Sequence, residues 1–400
     1  MTETSQIINP WMVENKSGCG IDYQHLIEKF DCSPITKELI ERLVKRTQNG
    51  HLHHLLKRGL IFAHQDFGTI LDQIENNKPF FIYYVRRPST PSVHLGHLST
   101  LLFIKWLQDE FHVPVVIHIT GKEVFYKNDL PSDKVEKMAL ENAKEIAAIG
   151  FDVKKTFIYS ERDFLRKCPA FLRNVTLAAR HLNFASLTSE LAFDGSESIG
   201  MANYPTIRAA AVMSSSYPFM FNGRDDIPCL MVTAIDQEPY LRMIRGVTKK
   251  LNFPTPCTIF PQFLPALQGI FTKANSTESK DVPPSCVHLI DSAAQIKNKI
   301  NKYAFSGGGA SVEEHKEKGG NCEVDIAYQY LRFFLEDNDK LEETHKTYSN
   351  GTLLTGYLKK EAIEIVQKVV ATHQERRKTI TNELLQEFMT PRQFDIIPSS

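Results

Sequence analysis

The stretch from Phe80 to Thr120 constrains the fold more than any other part of the chain. It reads FFIYYV (80–85), a turn, a helical segment over 96–110, then VPVVIHIT (113–120). Both apolar runs are short and rich in β-branched and aromatic residues, the pattern of buried strands. Two strands with a helix between them make a βαβ unit, which favours a parallel sheet and a right-handed crossover. KKTFIYS (154–160) and IPCLMVTAI (227–235) predict further strands. A helix over 134–149 precedes the first of them, with Asp133 and Glu136 read as a capping pair and Gly150 as its stop. Strands and helices thus alternate through the first two thirds, and the expected class is α/β with a Rossmann-type parallel sheet.

The pattern changes near residue 288. Segments 292–305, 325–337 and 358–389 carry helical spacing, interrupted by SGGGAS (306–311) and KGGN (318–321). The expected organisation is an arm and helical extension over 1–75, with 1–20 irregular and a helix over 36–47. A catalytic-type domain follows over 76–287, then an all-helical domain over 288–392 and a tail over 393–400. Residues 272–287 are polar and proline-bearing and predict a mobile loop.

Composition excludes some classes. Lys+Arg and Asp+Glu both total 47, so any nucleic-acid site must be a local patch rather than a bulk field. The seven cysteines form no CxxC pair and no metal-ligand spacing, which suits a reducing compartment. No secretory h-region and no apolar run of membrane length is present, so a soluble cytoplasmic protein without membrane contact is expected. No metal site is expected. Trp11 and Trp106 read as packing residues.

The chemistry concentrates after the first strand of the βαβ unit. His94 and His97 flank Gly96 where a helix begins, a position whose free N–H groups and dipole favour phosphate. Neutral imidazoles there could donate hydrogen bonds as charge builds in a transition state. Alone, the four letters HLGH are a weak match, and two histidines capping a helix account for them better.

The order of strand, turn, HLGH and helix resembles the HIGH signature of class I aminoacyl-tRNA synthetases. AIDQEPYLRM (234–243), PALQG (265–269), AFSGG (304–308), EEH (313–315), GGNCEVD (319–325), FFLEDNDKL (333–341) and EFMTPR (387–392) resemble the eukaryotic cytoplasmic tryptophanyl-tRNA synthetases. So do PWMV…GIDY (10–23) and HHLLKRGLIFAHQDF (53–67), which extends the likeness from about residue 8 to 394. The resemblance implies a Rossmann catalytic domain, a helical anticodon-binding domain and a homodimer. It also implies activation of tryptophan with ATP and Mg²⁺, then transfer to tRNA(Trp). By the same resemblance His94, Gly96, His97 and Lys273 are catalytic. Tyr83, His118, Glu123, Arg208 and Gln237 contact tryptophan, while Arg86, Pro88, Gln268 and Lys273 contact the nucleotide.

The chain departs from that family at the nucleotide and amino acid. GRGP reads VRRP (85–88), TDDE reads TGKE (120–123), and the KMSAS loop reads KANST (273–277). Family glutamines read His118 and Arg208. Arg87 stands where a glycine would leave room for a ligand. Each added cation matters, since a unit pair at ~4 Å and an effective dielectric of ~20 is ~4 kcal/mol before desolvation. The altered set predicts a weakened adenylation site. Three classes follow: a tryptophan–tRNA ligase, a catalytically impaired paralogue acting in tRNA(Trp) binding or interaction, and a different nucleotidyl-transferring enzyme.

On the RNA side, Gln295, Lys299 and Lys302 are spaced to share one face of the 292–305 helix, beside Ile296, Ile300 and Tyr303 on a buried one. Taken alone, this is read by default as a solvated basic face. The resemblance makes Lys299, Lys302, Glu313 and Asp337 candidates near the tRNA.

Overall fold

A computed structural model describes residues 6–121, 125–126, 130–275 and 283–395. Its centre is a seven-stranded sheet. Chain order gives β3 (Ser33–Pro34), β4 (Ile61–Gln65), β5 (Phe81–Arg86), β6 (Val115–Ile119), β7 (Thr156–Ser160), β8 (Cys229–Val232) and β9 (Cys257–Pro261). Spatial order is β3-β4-β9-β8-β5-β6-β7. The run β9-β8-β5-β6-β7 is parallel. β4 and β3 add antiparallel pairs at one edge, so the sheet is mixed there. Helix Leu95–Phe111 links β5 to β6, as the βαβ pattern predicts. From β5 the chain moves to β6 and β7 on one side, and later places β8 and β9 on the other. The β5/β8 boundary is therefore a topological switch point, where open α/β sheets form a crevice at the strand C-termini.

Three local expectations are corrected. The arm is not irregular: β1 (Gln6–Ile8) and β2 (Val13–Asn15) form a hairpin, and β2 pairs with β11 (Gly269–Lys273) through Glu14 and Thr272. β10 (Pro265–Ala266) completes this small sheet. Asp133 and Glu136 are not a capping pair. The helix runs Ser132–Ala147 after Pro131, which puts Asp133 inside its first turn, favourable to the dipole. Glu136 is engaged by Arg162 instead. The run 358–389 is two helices, Thr355–Thr379 and Asn382–Met389, because Thr381 caps the second by accepting from Leu384 N at 3.2 Å.

The C-terminal part is helical, with Ala293–Tyr303, Val312–Lys318, Ile326–Phe334, Asn338–Ser349 and the two helices just named. One apolar cluster passes from the sheet layer into it and includes Leu98, Ile149, Phe334 and Val366. Polar contacts reinforce that seam. Glu145 meets His373 at 2.8 Å and Arg377 Nε at 2.6 Å, and Arg58 donates to the Arg332 carbonyl at 2.7 Å. No helix among the described residues is long and apolar enough to cross a membrane. Trp11 stacks on Phe193 and Trp106 on Phe103, both as packing residues.

Candidate active site

At the C-terminal ends of β5 and β8 lies a cavity of about 190 Å³. His94, Gly96, His97, Lys273, Arg86, Arg208 and Gln237 line it together. Sequence reasoning therefore gathered seven of its candidates into one place. His94 is the N-cap of helix Leu95–Phe111, and its Nδ1 accepts from Gly96 N–H at 3.1 Å. A Cβ at Gly96 would stand 2.9 Å from His94 Cε1, so glycine lets the ring fold back over the helix start. Burial, then the charge of Arg86, holds both imidazoles well below the usual histidine range, and both are neutral at ordinary pH.

The hydrogen bonds fix their protons. His94 accepts through Nδ1, so its proton is on Nε2. Arg86 Nη1 donates to His97 Nε2 at 2.8 Å, which puts the His97 proton on Nδ1, 3.4 Å from Tyr84 Oη. His97 thus accepts from an arginine here. The expectation of two imidazoles donating to phosphate is met in form by His94 alone. Arg86 is itself buried, bonded to Asn142 Oδ1 at 2.9 Å, and burial pulls its guanidinium down to about 10. It stays charged at neutral pH.

Lys273 Nζ pairs with Asp236 Oδ2 at 2.5 Å, and Gln237 donates to the same oxygen at 3.3 Å. Asp236 is 1% exposed and was not singled out from the sequence, although it stands inside AIDQ beside Gln237. Val85 and Arg87 also line the cavity, at positions where the family pattern has glycines. Pro88 and Gln268 do not line the cavity: Pro88 is buried, and Gln268 donates to the Pro284 carbonyl at 3.0 Å. Glu123, Lys122 and much of the loop expected over 272–287 lie outside the described residues.

Tyr83 and His118 are fully buried and do not reach the cavity. Tyr83 Oη bonds His118 Nδ1 at 2.7 Å, and His118 Nε2 lies 3.6 Å from Glu161 Oε2. Burial pushes the Tyr83 hydroxyl up, and the Arg208 charge and hydrogen bond oppose this. Arg208, 2% exposed, both lines the cavity and touches Tyr83. It connects the cavity lining to Tyr83. Its Cζ lies 5.1 Å from the Tyr240 ring centroid and 6.0 Å from that of Tyr204. Tyr204, which lines the cavity, and Tyr240 and Glu161, which do not, were missed from the sequence, because a tyrosine or a glutamate on a helix carries no signal of the neighbours it will meet.

The tRNA candidates do not gather in one site. Lys299 is tied to Asp291 at 2.9 Å with its side chain largely buried. Lys302 is exposed, with Nζ 5.1 Å from the Tyr303 ring centroid. Glu313 lies in the first turn of Val312–Lys318. Asp337 caps Asn338–Ser349 by accepting from Lys340 N at 3.0 Å.

Fold and cavity together are those of a Rossmann-type α/β protein of the class I synthetase type. A family profile for tRNA synthetases class I (W and Y) matches residues 75–371, and the chain belongs to that family. Within it, the chain is 46% identical over 98% of its length to the cytoplasmic tryptophan–tRNA ligase of Oryctolagus cuniculus, covering 81% of that protein. It is 44% identical to that of Schizosaccharomyces pombe, covering 97% of this chain and 98% of the relative. Among solved structures, the Plasmodium falciparum tryptophanyl-tRNA synthetase superposes with a TM-score of 0.84 at 36% identity, covering 93% of this chain and 95% of that one.

Proposed function

We propose that this chain is a cytoplasmic tryptophan–tRNA ligase-type protein whose ATP- and Mg²⁺-dependent activation of tryptophan is strongly attenuated and whose binding of tRNA(Trp) persists. The observation that carries this is the position of Arg208. An indole directed at Tyr83 has to displace a buried guanidinium held by two aromatic rings. Val85 and Arg87 in the cavity lining add bulk and charge where the family pattern has glycines. Against this, His94, Arg86 and Lys273 line the same cavity, which supports phosphate contacts at its nucleotide end. Activation by this class needs no nucleophilic side chain; it rests on positioning and on stabilising charge at the transferring phosphate.

Residues 76–287 carry the activation site in this reading, and 288–392 carry the tRNA contacts. The chain works as a homodimer, an expectation supported by exposed Leu172, Phe184 and Ile199 on the surface of the α/β part. Aminoacylation of tRNA(Trp), run beside filter binding of the same RNA, tests the proposal. Tight, tRNA(Trp)-selective binding with charging at least ~100-fold slower than in an active relative is expected, equivalent to ~2.7 kcal/mol of lost transition-state stabilisation. Charging at the relative's rate, or binding no tighter than to an unrelated tRNA, contradicts it.

A further inference from the structure

Arg86 reaches the cavity from the end of β5 with its guanidinium held on three sides. Nε donates to Asn142 Oδ1 at 2.9 Å, Nη1 to His97 Nε2 at 2.8 Å and Nη2 to the Ser92 carbonyl at 3.4 Å. All three acceptors are neutral: an amide, an imidazole kept neutral by burial, and a carbonyl. A cation this deeply buried is ordinarily met by a carboxylate. Here the group that meets its Nε is an amide.

Asn142 is 0% exposed and stands on helix Ser132–Ala147. Its amide is fully used. Oδ1 accepts from Arg86, while Nδ2 donates to the Thr90 carbonyl at 2.7 Å and to the Met138 carbonyl at 2.8 Å. Turning the amide over would set donor against donor and acceptor against two carbonyls, so its orientation is fixed. Thr90 Oγ1 in turn donates to the Ser92 carbonyl at 2.8 Å, the same oxygen that Arg86 uses. One side chain therefore ties together the end of β5, the turn before the HLGH helix and the helix that follows β6. A carboxylate at this position would hold Arg86 in the same place but would spend its charge, and would face the two carbonyl oxygens. An amide orients the guanidinium without neutralising it.

We propose that Asn142 is a positioning residue for the activation step. It acts through Arg86, aiming a guanidinium that it does not neutralise at the phosphates of ATP and keeping His97 in the form protonated on Nδ1. The proposal rests on the assignment of Arg86 to the nucleotide end made above. Asn142 itself makes and breaks no bond.

Two measurements on the full-length chain test it: imidazole nitrogen NMR spectra, with His97 assigned through His97→Gln, and ATP–pyrophosphate exchange. The wild type should show His97 protonated on Nδ1. Asn142→Ala should mix in the form protonated on Nε2. It should also raise KM for ATP at least ~10-fold while KM for tryptophan stays within ~2-fold, as expected for loss of one hydrogen bond to a charged group. Asn142→Asp keeps the acceptor, so it should keep the His97 form yet raise KM for ATP. Glu145→Ala, on the same helix but bonded to His373 and Arg377 instead of Arg86, should leave the His97 form unchanged. An unchanged His97 form in a folded Asn142→Ala variant overturns the proposal, as do equal rises in both KM values, which mean general loosening. If Asn142→Ala does not fold, Asn142→Asp decides, and an unchanged KM for ATP there overturns it. A wild type with no detectable exchange has no activation for Asn142 to serve, which overturns this proposal and leaves the proposed function standing. Exchange at a relative's rate with the expected KM split does the reverse.

Discussion

Gly96 and His94 act as one unit at the residue scale. The imidazole folds back onto the helix start and takes the Gly96 N–H. A methyl group at 96 would meet that ring at 2.9 and 3.1 Å. Alanine gains ~1 kcal/mol of helix propensity, but forced overpacking costs ~1–3 kcal/mol. We therefore expect Gly96→Ala to be neutral to ~2 kcal/mol destabilising by urea unfolding, with the His94 ring displaced in a crystal structure. A gain of the full ~1 kcal/mol would mean that the ring yields freely. The HLGH signature was legible in the sequence because spacing alone places it at a helix start. The pairing of Arg86 with His97 was not, since both partners look like ligand contacts until their hydrogen bonds are traced.

At the scale of elements, the long helix Thr355–Thr379 is held to the sheet layer by Glu145. This carboxylate is 1% exposed and takes both His373 and Arg377. Removing one partner of a buried pair leaves the other uncompensated, at a cost of ~3–5 kcal/mol. Glu145→Ala should lose stability on that order in denaturant unfolding, and a loss under ~1 kcal/mol would mean that the pair is incidental. The two lysines of helix Ala293–Tyr303 should separate in the same way. Lys302→Ala should weaken all tRNAs about equally and reduce the salt slope of binding by roughly one unit. Lys299→Ala should chiefly lower stability, because its charge is spent on Asp291. Filter binding at several salt concentrations, with parallel melting curves, checks both. Periodicity gave these helices well. It missed the break at Ile380, where the Thr381 cap is a single side chain within an unbroken polar pattern. It also missed the arm hairpin, whose partner strand Gly269–Lys273 lies far along the chain, out of reach of any local pattern.

Over the whole molecule, several histidines are buried neutral. Burial first, then His54, His51 and Arg58, pushes His53 down to about 3. Burial, then the charge of Arg86, also holds His94 and His97 well below the ordinary histidine value of about 6.5. Between those depressed values and 6.5 the unfolded chain binds protons that the folded chain refuses. Stability therefore rises with pH through that window and is lost on acidification below 6.5, by ~1.4 kcal/mol per pH unit for each such group. Urea midpoints measured from neutral pH downward should fall accordingly, and His53→Phe should flatten the slope by about one proton. A pH-independent midpoint would contradict the buried-neutral assignment. The central claim, that Arg208 attenuates tryptophan activation, has a more direct test in tryptophan-dependent ATP–pyrophosphate exchange. The chain and its Arg208→Gln variant should be assayed beside an active cytoplasmic tryptophan–tRNA ligase. A wild-type rate ~100-fold or more below that enzyme and a faster variant are expected; a wild-type rate within ~3-fold of it would show that Arg208 does not obstruct activation.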